Sequence, residues 1–155
     1  MSEVSISVVG TLHFHVAGTP RPQSRPRFVR GRVVSSPSRL LKLWRTLMLA
    51  EFINGRPVNG PIREPVIVNM IAMFPHKDPK KWGTPHMVRP DSDNITKACW
   101  DCLVRAGILK DDSLICQSNS SKVWAARGGL DVQVRCLSPD DETPDVAWSV
   151  SGKRA

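Results

Sequence analysis

Long apolar runs are scarce in this chain. The longest, around Pro65–Pro75, falls far short of the roughly 20 apolar residues that a membrane span needs, so no membrane role is expected. The opening MSEVSISVVG has neither a basic n-region nor a small-residue cleavage site. No secretory signal is read there, and the expected compartment is the cytoplasm. Cysteine is sparse: Cys99 and Cys102 make one CxxC pair, while Cys116 and Cys136 do not make a second. Without such a second pair, or histidines at ligand spacing, zinc is disfavoured and reduced thiols packed in a core are expected. No internal repeat is visible. Acid is the minority charge, with 14 Asp and Glu against 22 Lys and Arg.

What is present fits one globular domain. The chain has 155 residues, of which 41% are hydrophobic and 23% charged. The domain is expected over residues 1–137. Residues 138–155 read as a tail with little to bury, largely disordered. A pI near 9.9 points to a polyanionic partner. The tail holds four acids and two bases, so the positive charge belongs to the body. It concentrates in RPQSRPRFVRGR, with Arg21, Arg25, Arg27, Arg30 and Arg32, and in HKDPKKW, with Lys77, Lys80 and Lys81.

Along the chain, Leu12, Phe14 and Val16 alternate with His13 and His15, which predicts a strand with one wet face. An Arg- and Pro-rich loop follows up to about Ser36, where the prolines exclude regular helix. A mobile arm able to close on phosphates is expected there. Next, Leu40, Leu43, Trp44, Leu47 and Met48 predict one apolar helical stripe, stopped by Asn54-Gly55. Residues 65–74 are apolar on both faces and predict a buried central strand. After a second basic loop, 76–90, comes another helix. Residues 114–124 and 130–137 then read as a hairpin turned at Ala125–Gly129. The order β-α-β-α-β-β predicts an α+β fold, a small mixed sheet with two main helices packed against it.

The second helix is flanked by acids. Ile95, Ala98, Cys99, Cys102, Leu103 and Ala106 form its narrow apolar face, and Gly107 is a natural C′ stop. Asp91 and Asp93 stand before it, Asp101 on it, and Asp111 and Asp112 after it. One aspartate at a helix start is ordinarily a cap. Two there and two more beyond exceed what capping needs. If the clusters converge, they supply hard oxygen ligands for Mg²⁺, but a helix of this length holds them roughly 20 Å apart unless the chain doubles back. Surface aspartates and metal ligands therefore both stay open on spacing alone. Lys97 likewise has two readings: an i,i+4 ion pair with Asp101, or a cation facing a scissile phosphate. Trp100 lies off the stripe, where burial in the protein is favoured over a dimer contact or base stacking.

The stretch RPDSDNITKACWDCLVRAGILKDDSLI, residues 89–115, resembles the signature of the RusA-type Holliday junction resolvases. That pattern is a D-x-D-N motif, a Lys four residues after its second Asp, a helix ending in Ala-Gly, then an Asp-Asp pair before a strand. The earlier GTPRPQSRPRFVRGR is similar to the Gly-Pro-Arg-rich loop of many relatives. Residues 1–10 and the tail lie outside the likeness, and the basic insert His76–Met87 departs from it.

The resemblance implies a RusA-like fold and a homodimeric endonuclease that nicks four-way DNA junctions with Mg²⁺, or with Mn²⁺ as a substitute. By position, Asp91, Asp93 and Asp112 become the metal-binding catalytic carboxylates and Lys97 the catalytic lysine, with Asp111 a neighbour. The basic loops, including Arg89, become phosphate contacts. His86 lies close enough in sequence to the motif to assist. Two alternatives stand beside this: a nuclease for flaps or other branched DNA, and a non-catalytic basic DNA-binding module.

Overall fold

The computed structural model describes residues 10–34, 37–138 and 141. Its elements are β1 (Leu12–Ala17), β2 (Arg27–Val29), β3 (Arg32–Val34), α1 (Arg39–Asn54), β4 (Val66–Pro75), α2 (Ser92–Arg105), β5 (Ile115–Ala125) and β6 (Gly129–Cys136). Short 3-10 turns lie at Pro79–Lys81 and Asp112–Leu114. A mixed four-stranded sheet, ordered β1-β6-β4-β5, forms one layer; β2 and β3 form a separate two-stranded sheet, and the fold is α+β as expected.

β4 is the central strand its composition predicts. Val66, Val68, Met70, Ala72 and Phe74 alternate onto the face the helices cover, joined by Phe14 and Val16 of β1 and by Leu130, Val132 and Val134 of β6. α1 supplies Leu41, Trp44, Met48 and Phe52, and α2 supplies Ile95, Cys99, Cys102 and Leu103. Each large side chain so buried stabilises the fold by about 1.5–3 kcal/mol. The opposite face of the sheet is wet. His13 and His15 lie there, and the His15 ring pairs with Asp131 at 2.6 Å.

Three expectations change. First, α1 is present with Ser38 as its cap, the Ser38 Oγ accepting from the Leu41 backbone N–H at 3.2 Å, but its buried stripe is rotated. Leu40, Leu43 and Leu47 are exposed, and Leu41 and Phe52 face the core. So many positions of this helix are apolar that periodicity alone does not choose the face; packing against the sheet does.

Second, β5 and β6 do not form a hairpin. Both pair with β4, β5 parallel and β6 antiparallel, so β4 lies between them. The link passes over the end of β4, where Gly128 is pressed against Gly18 and Thr19; a Cβ there would lie 2.9 Å from the Gly18 carbonyl oxygen. Third, the Arg-rich loop contains the β2–β3 hairpin. Its turn, Arg30-Gly31, has φ of 48° and 74°, the left-handed backbone that tight hairpin turns require.

Cys99 and Cys102 are buried as expected, but Cys116 is exposed and Cys136 half-buried; all four are free thiols. Burial pushes the Cys99 thiol far up and the Cys102 thiol up to about 11, which leaves both inert. The expected tail lies outside the described residues, apart from Ser138 and Asp141. Asp141 takes a two-pronged contact from Arg135, at 2.8 and 2.9 Å. Among the described residues, no helix is long and apolar enough to cross a membrane.

Candidate active site

The site is built where α2 begins. Asp91 occupies the N-cap position, yet its side chain makes no capping hydrogen bond. Asp93, in the first turn, is exposed and faces the Arg25 guanidinium at 3.8 Å. Neither carboxylate is committed to the helix, and the partial positive charge of a helix start favours both.

The arm from Thr19 to Arg27 lies over this helix start. The Gln23 backbone N–H donates to the Asn94 carbonyl at 3.0 Å, and Arg45 of α1 donates to Gln23 Oε1 at 2.7 Å. Between arm and helix runs an open groove of about 640 Å³, with Arg21, Arg25, Arg27 and Arg89 around Asp91 and Asn94. Four of the nine basic residues expected at a nucleic-acid surface thus line one groove with a candidate catalytic acid. Arg30 and Arg32 stand exposed on the hairpin, and Lys77, Lys80 and Lys81 stand exposed around the Pro79–Lys81 turn.

Sequence reasoning gave the insert's lysines phosphate contacts and His86 an assisting role, but gave the segment no structural task. In the fold, residues 83–90 form a strap along the free edge of β5. Gly83 N–H donates to the Trp124 carbonyl at 2.8 Å, Trp124 N–H to Thr84 at 3.0 Å, and His86 N–H to Lys122 at 3.0 Å. His86 is 4% exposed and stacked on Phe74 at 3.9 Å, with Trp124 tilted against it at 4.3 Å. Desolvation by this burial, with help from nearby Lys122, lowers its pKa. It is a packed core group, and its Nδ1 has no hydrogen-bond partner. Lys122 of β5 ties off the strap: its ammonium donates to the carbonyls of Val88 and Pro90 at 2.9 and 2.8 Å, directly before Asp91. Ser92 and Ser120 hydroxyls also meet, at 2.9 Å. Nothing in the sequence singled out Lys122 or Ser120, because their partners are backbone carbonyls and a hydroxyl distant along the chain.

The other acids lie elsewhere. Asp111 caps the Asp112–Leu114 turn, accepting from the Ser113 N–H at 2.8 Å. That bond, with help from the Ser113 hydroxyl, holds its carboxyl below the usual carboxylate range. Asp112 is exposed at the start of β5. Among the described residues, no group of three or more His, Cys, Asp or Glu side chains is gathered that would hold a metal. Within one chain, Asp91 and Asp93 share the start of α2, and Asp112 does not complete a group of three with them. Two uncommitted carboxylates fit Mg²⁺, which commonly takes one or two such ligands and completes its shell with waters and substrate phosphate. Lys97 is exposed one turn beyond Asp93, and no ion pair joins it to Asp101. Trp100 is half-buried against the core, as favoured.

In comparison with protein families, residues 17–135 match a family described as endodeoxyribonuclease RusA. Among curated proteins, nothing matches the chain. The matched span takes in the arm, the strap, both helices and every candidate carboxylate.

Proposed function

Because the chain belongs to the RusA endodeoxyribonuclease family it is a DNA-cleaving hydrolase, and we propose that it resolves four-way junctions by paired, symmetric nicks with a divalent ion, Mg²⁺ or Mn²⁺. The observation that carries this reading is the pair at the start of α2: Asp91, without a cap bond, lines an arginine-rich groove, and Asp93 faces Arg25 of that same groove. Asp91, Asp93 and Asp112 are the proposed ligands, and a bound ion would relieve negative charge on the phosphate and the leaving oxygen. Lys97 is free to face the same phosphate and to stabilise developing charge. The arm and the lysine-rich turn hold the sugar-phosphate backbone without reading bases. Two cuts on a symmetric junction suit a homodimer with one site per subunit. The proposed setting is the cytoplasm.

Incubation with a synthetic four-way junction, with and without Mg²⁺, tests the reading. Paired nicks that require the ion support it. Single nicks at flaps, with intact junctions left uncut, transfer the site to another branched substrate. In Asp93→Asn, retained junction binding with lost cutting is expected; undiminished cutting excludes the carboxylate site.

A further inference from the structure

Of the four described tryptophans, Trp44 is buried, Trp100 and Trp124 are half-buried, and Trp82 alone is exposed, with 44% of its surface open. Leaving so large a ring in water forgoes the stabilisation that burial gives. The ring is nonetheless held still. Its Nε1–H donates to the His76 carbonyl at 2.8 Å, and the His76 ring Nδ1 accepts from the Asp78 N–H at 3.0 Å. Asp78 in turn caps the Pro79–Lys81 turn, accepting from the Lys80 N–H at 3.0 Å. The Trp82 N–H donates to the Pro79 carbonyl at 3.2 Å, and the Gly83 N–H to the Trp124 carbonyl at 2.8 Å. With its one polar atom satisfied, the indole offers only ring carbon to a ligand.

Charge and position narrow what that ligand is. Lys77, Lys80 and Lys81 stand exposed in the same segment, and among the described residues none of them is in an ion pair. The segment also adjoins the groove. Phe74 lines the groove together with Asp91. From Phe74 a row of rings leads outward: His86 at 3.9 Å, Trp124 at 4.3 Å from His86, and His76 at 5.1 Å from Trp124. His76 follows Phe74 by two residues, about 7 Å of extended chain at ~3.3 Å per residue. The indole fastened to the His76 carbonyl therefore stands beside the groove that holds Asp91.

We propose that Trp82 is a stacking platform for a nucleobase left unstacked at the branch point, with Lys77, Lys80 and Lys81 on the neighbouring phosphates. This rests on the branched-DNA reading above. Every base has a π-face, so such a platform reads no sequence. It selects structure instead. In continuous duplex both faces of each base are covered by neighbours, and freeing one costs unstacking energy. At a branch point the stack is already broken, and a base face is free at little cost. The arginines and lysines attract any DNA, whereas the ring adds affinity that only an interrupted stack can use.

A double-mutant cycle between ring and base tests this. Wild type and Trp82→Ala are each titrated, without divalent ion, against two four-way junctions of equal charge. One junction is intact and the other has abasic residues at the branch point. The preference for the intact junction is expected to be about five- to a hundredfold greater in wild type than in Trp82→Ala, the scale of one base on one aromatic ring. Each protein is compared with itself, so a loss of folded fraction cancels. The slope of log K against log salt is expected to be the same for both proteins, because no phosphate contact is removed. Equal preferences in the two proteins overturn the platform. Dissociation of a wild-type dimer into monomers on Trp82→Ala also overturns it, by giving the ring to a subunit contact. Nicking of the intact junction by wild type in Mg²⁺, measured alongside, tests the nuclease reading separately. Its absence would end that reading, while the binding cycle still decides the platform.

Discussion

The two ends of α2 carry the same residue type under different conditions. At its start, Asp91 stands where a cap belongs but makes no cap bond, and Asp93 has only a distant arginine. Beyond its end, Asp111 makes the cap bond to Ser113 and is held in its charged form by it. One end is also braced, by the strap, by Lys122 and by the arm, far more than a helix start needs. The difference teaches that a cluster of acids in a sequence is not one feature. An aspartate that satisfies the backbone has a structural task, whereas one left free on a braced turn is available for chemistry.

The sharpest way to break this comparison is to remove one carboxylate from each end. Asp93→Asn is expected to lower junction nicking on the order of a thousandfold, the scale of several kcal/mol in charge stabilisation, with binding little changed. Asp111→Asn is expected to stay within a few-fold of wild type in nicking and to show its effect in stability. Asp111 has a lowered pKa in the folded protein, so its contribution is present above the unfolded carboxylate value near ~3.9 and is lost as pH falls through the folded value. Urea titrations from neutral to acid pH should show the variant less pH-dependent than wild type. Equal losses of nicking in the two variants would erase the distinction.

A somewhat smaller effect tests the bracing. Lys122→Met frees the carbonyls of Val88 and Pro90 and lets the turn bearing Asp91 drift. Displacement of that order is expected to lower kcat about ten- to a hundredfold with junction affinity unchanged. Lys122→Arg, which keeps two donors, should restore part of it. Parallel loss of kcat and junction affinity would instead mean that Lys122 meets DNA directly.

The arm is expected to act on binding alone. Neutralising Arg25 and Arg27 together should weaken junction binding and reduce the slope of log K against log salt by about 1.8, at roughly 0.9 per phosphate contact. An unchanged slope removes these residues from the phosphate contacts. The smallest effect concerns His86, which lies under the brace and not in the chemistry. Its folded pKa is lowered, so the stability it contributes is complete above the unfolded value of ~6.5 and declines as pH falls below it. His86→Phe should flatten the melting temperature between neutral and mildly acid pH; a profile identical to wild type would show that His86 is not titrating there.

Much of this was legible beforehand, for identifiable reasons. The alternation of β1 and β6 and the unbroken apolar run of β4 each show themselves within one segment, and α2 has too few apolar residues for more than one buried face. The candidate acids were legible because they exceed what capping requires. The face of α1 was not, because its apolar residues surround more than one stripe and the sheet makes the choice. Neither was the pairing of β5, since a parallel partner shares no turn with it, nor the work of Lys122, whose acceptors are carbonyls.

By itself the sequence determined which segments become the two helices and the four strands of the main sheet, and that free carboxylates would meet concentrated positive charge, since periodicity and composition are local properties. Only the tertiary structure decided which acids meet. Helix length alone sets the two clusters roughly 20 Å apart, and the parallel crossover, whose strand partner no local pattern records, keeps the chain from doubling back to close that gap.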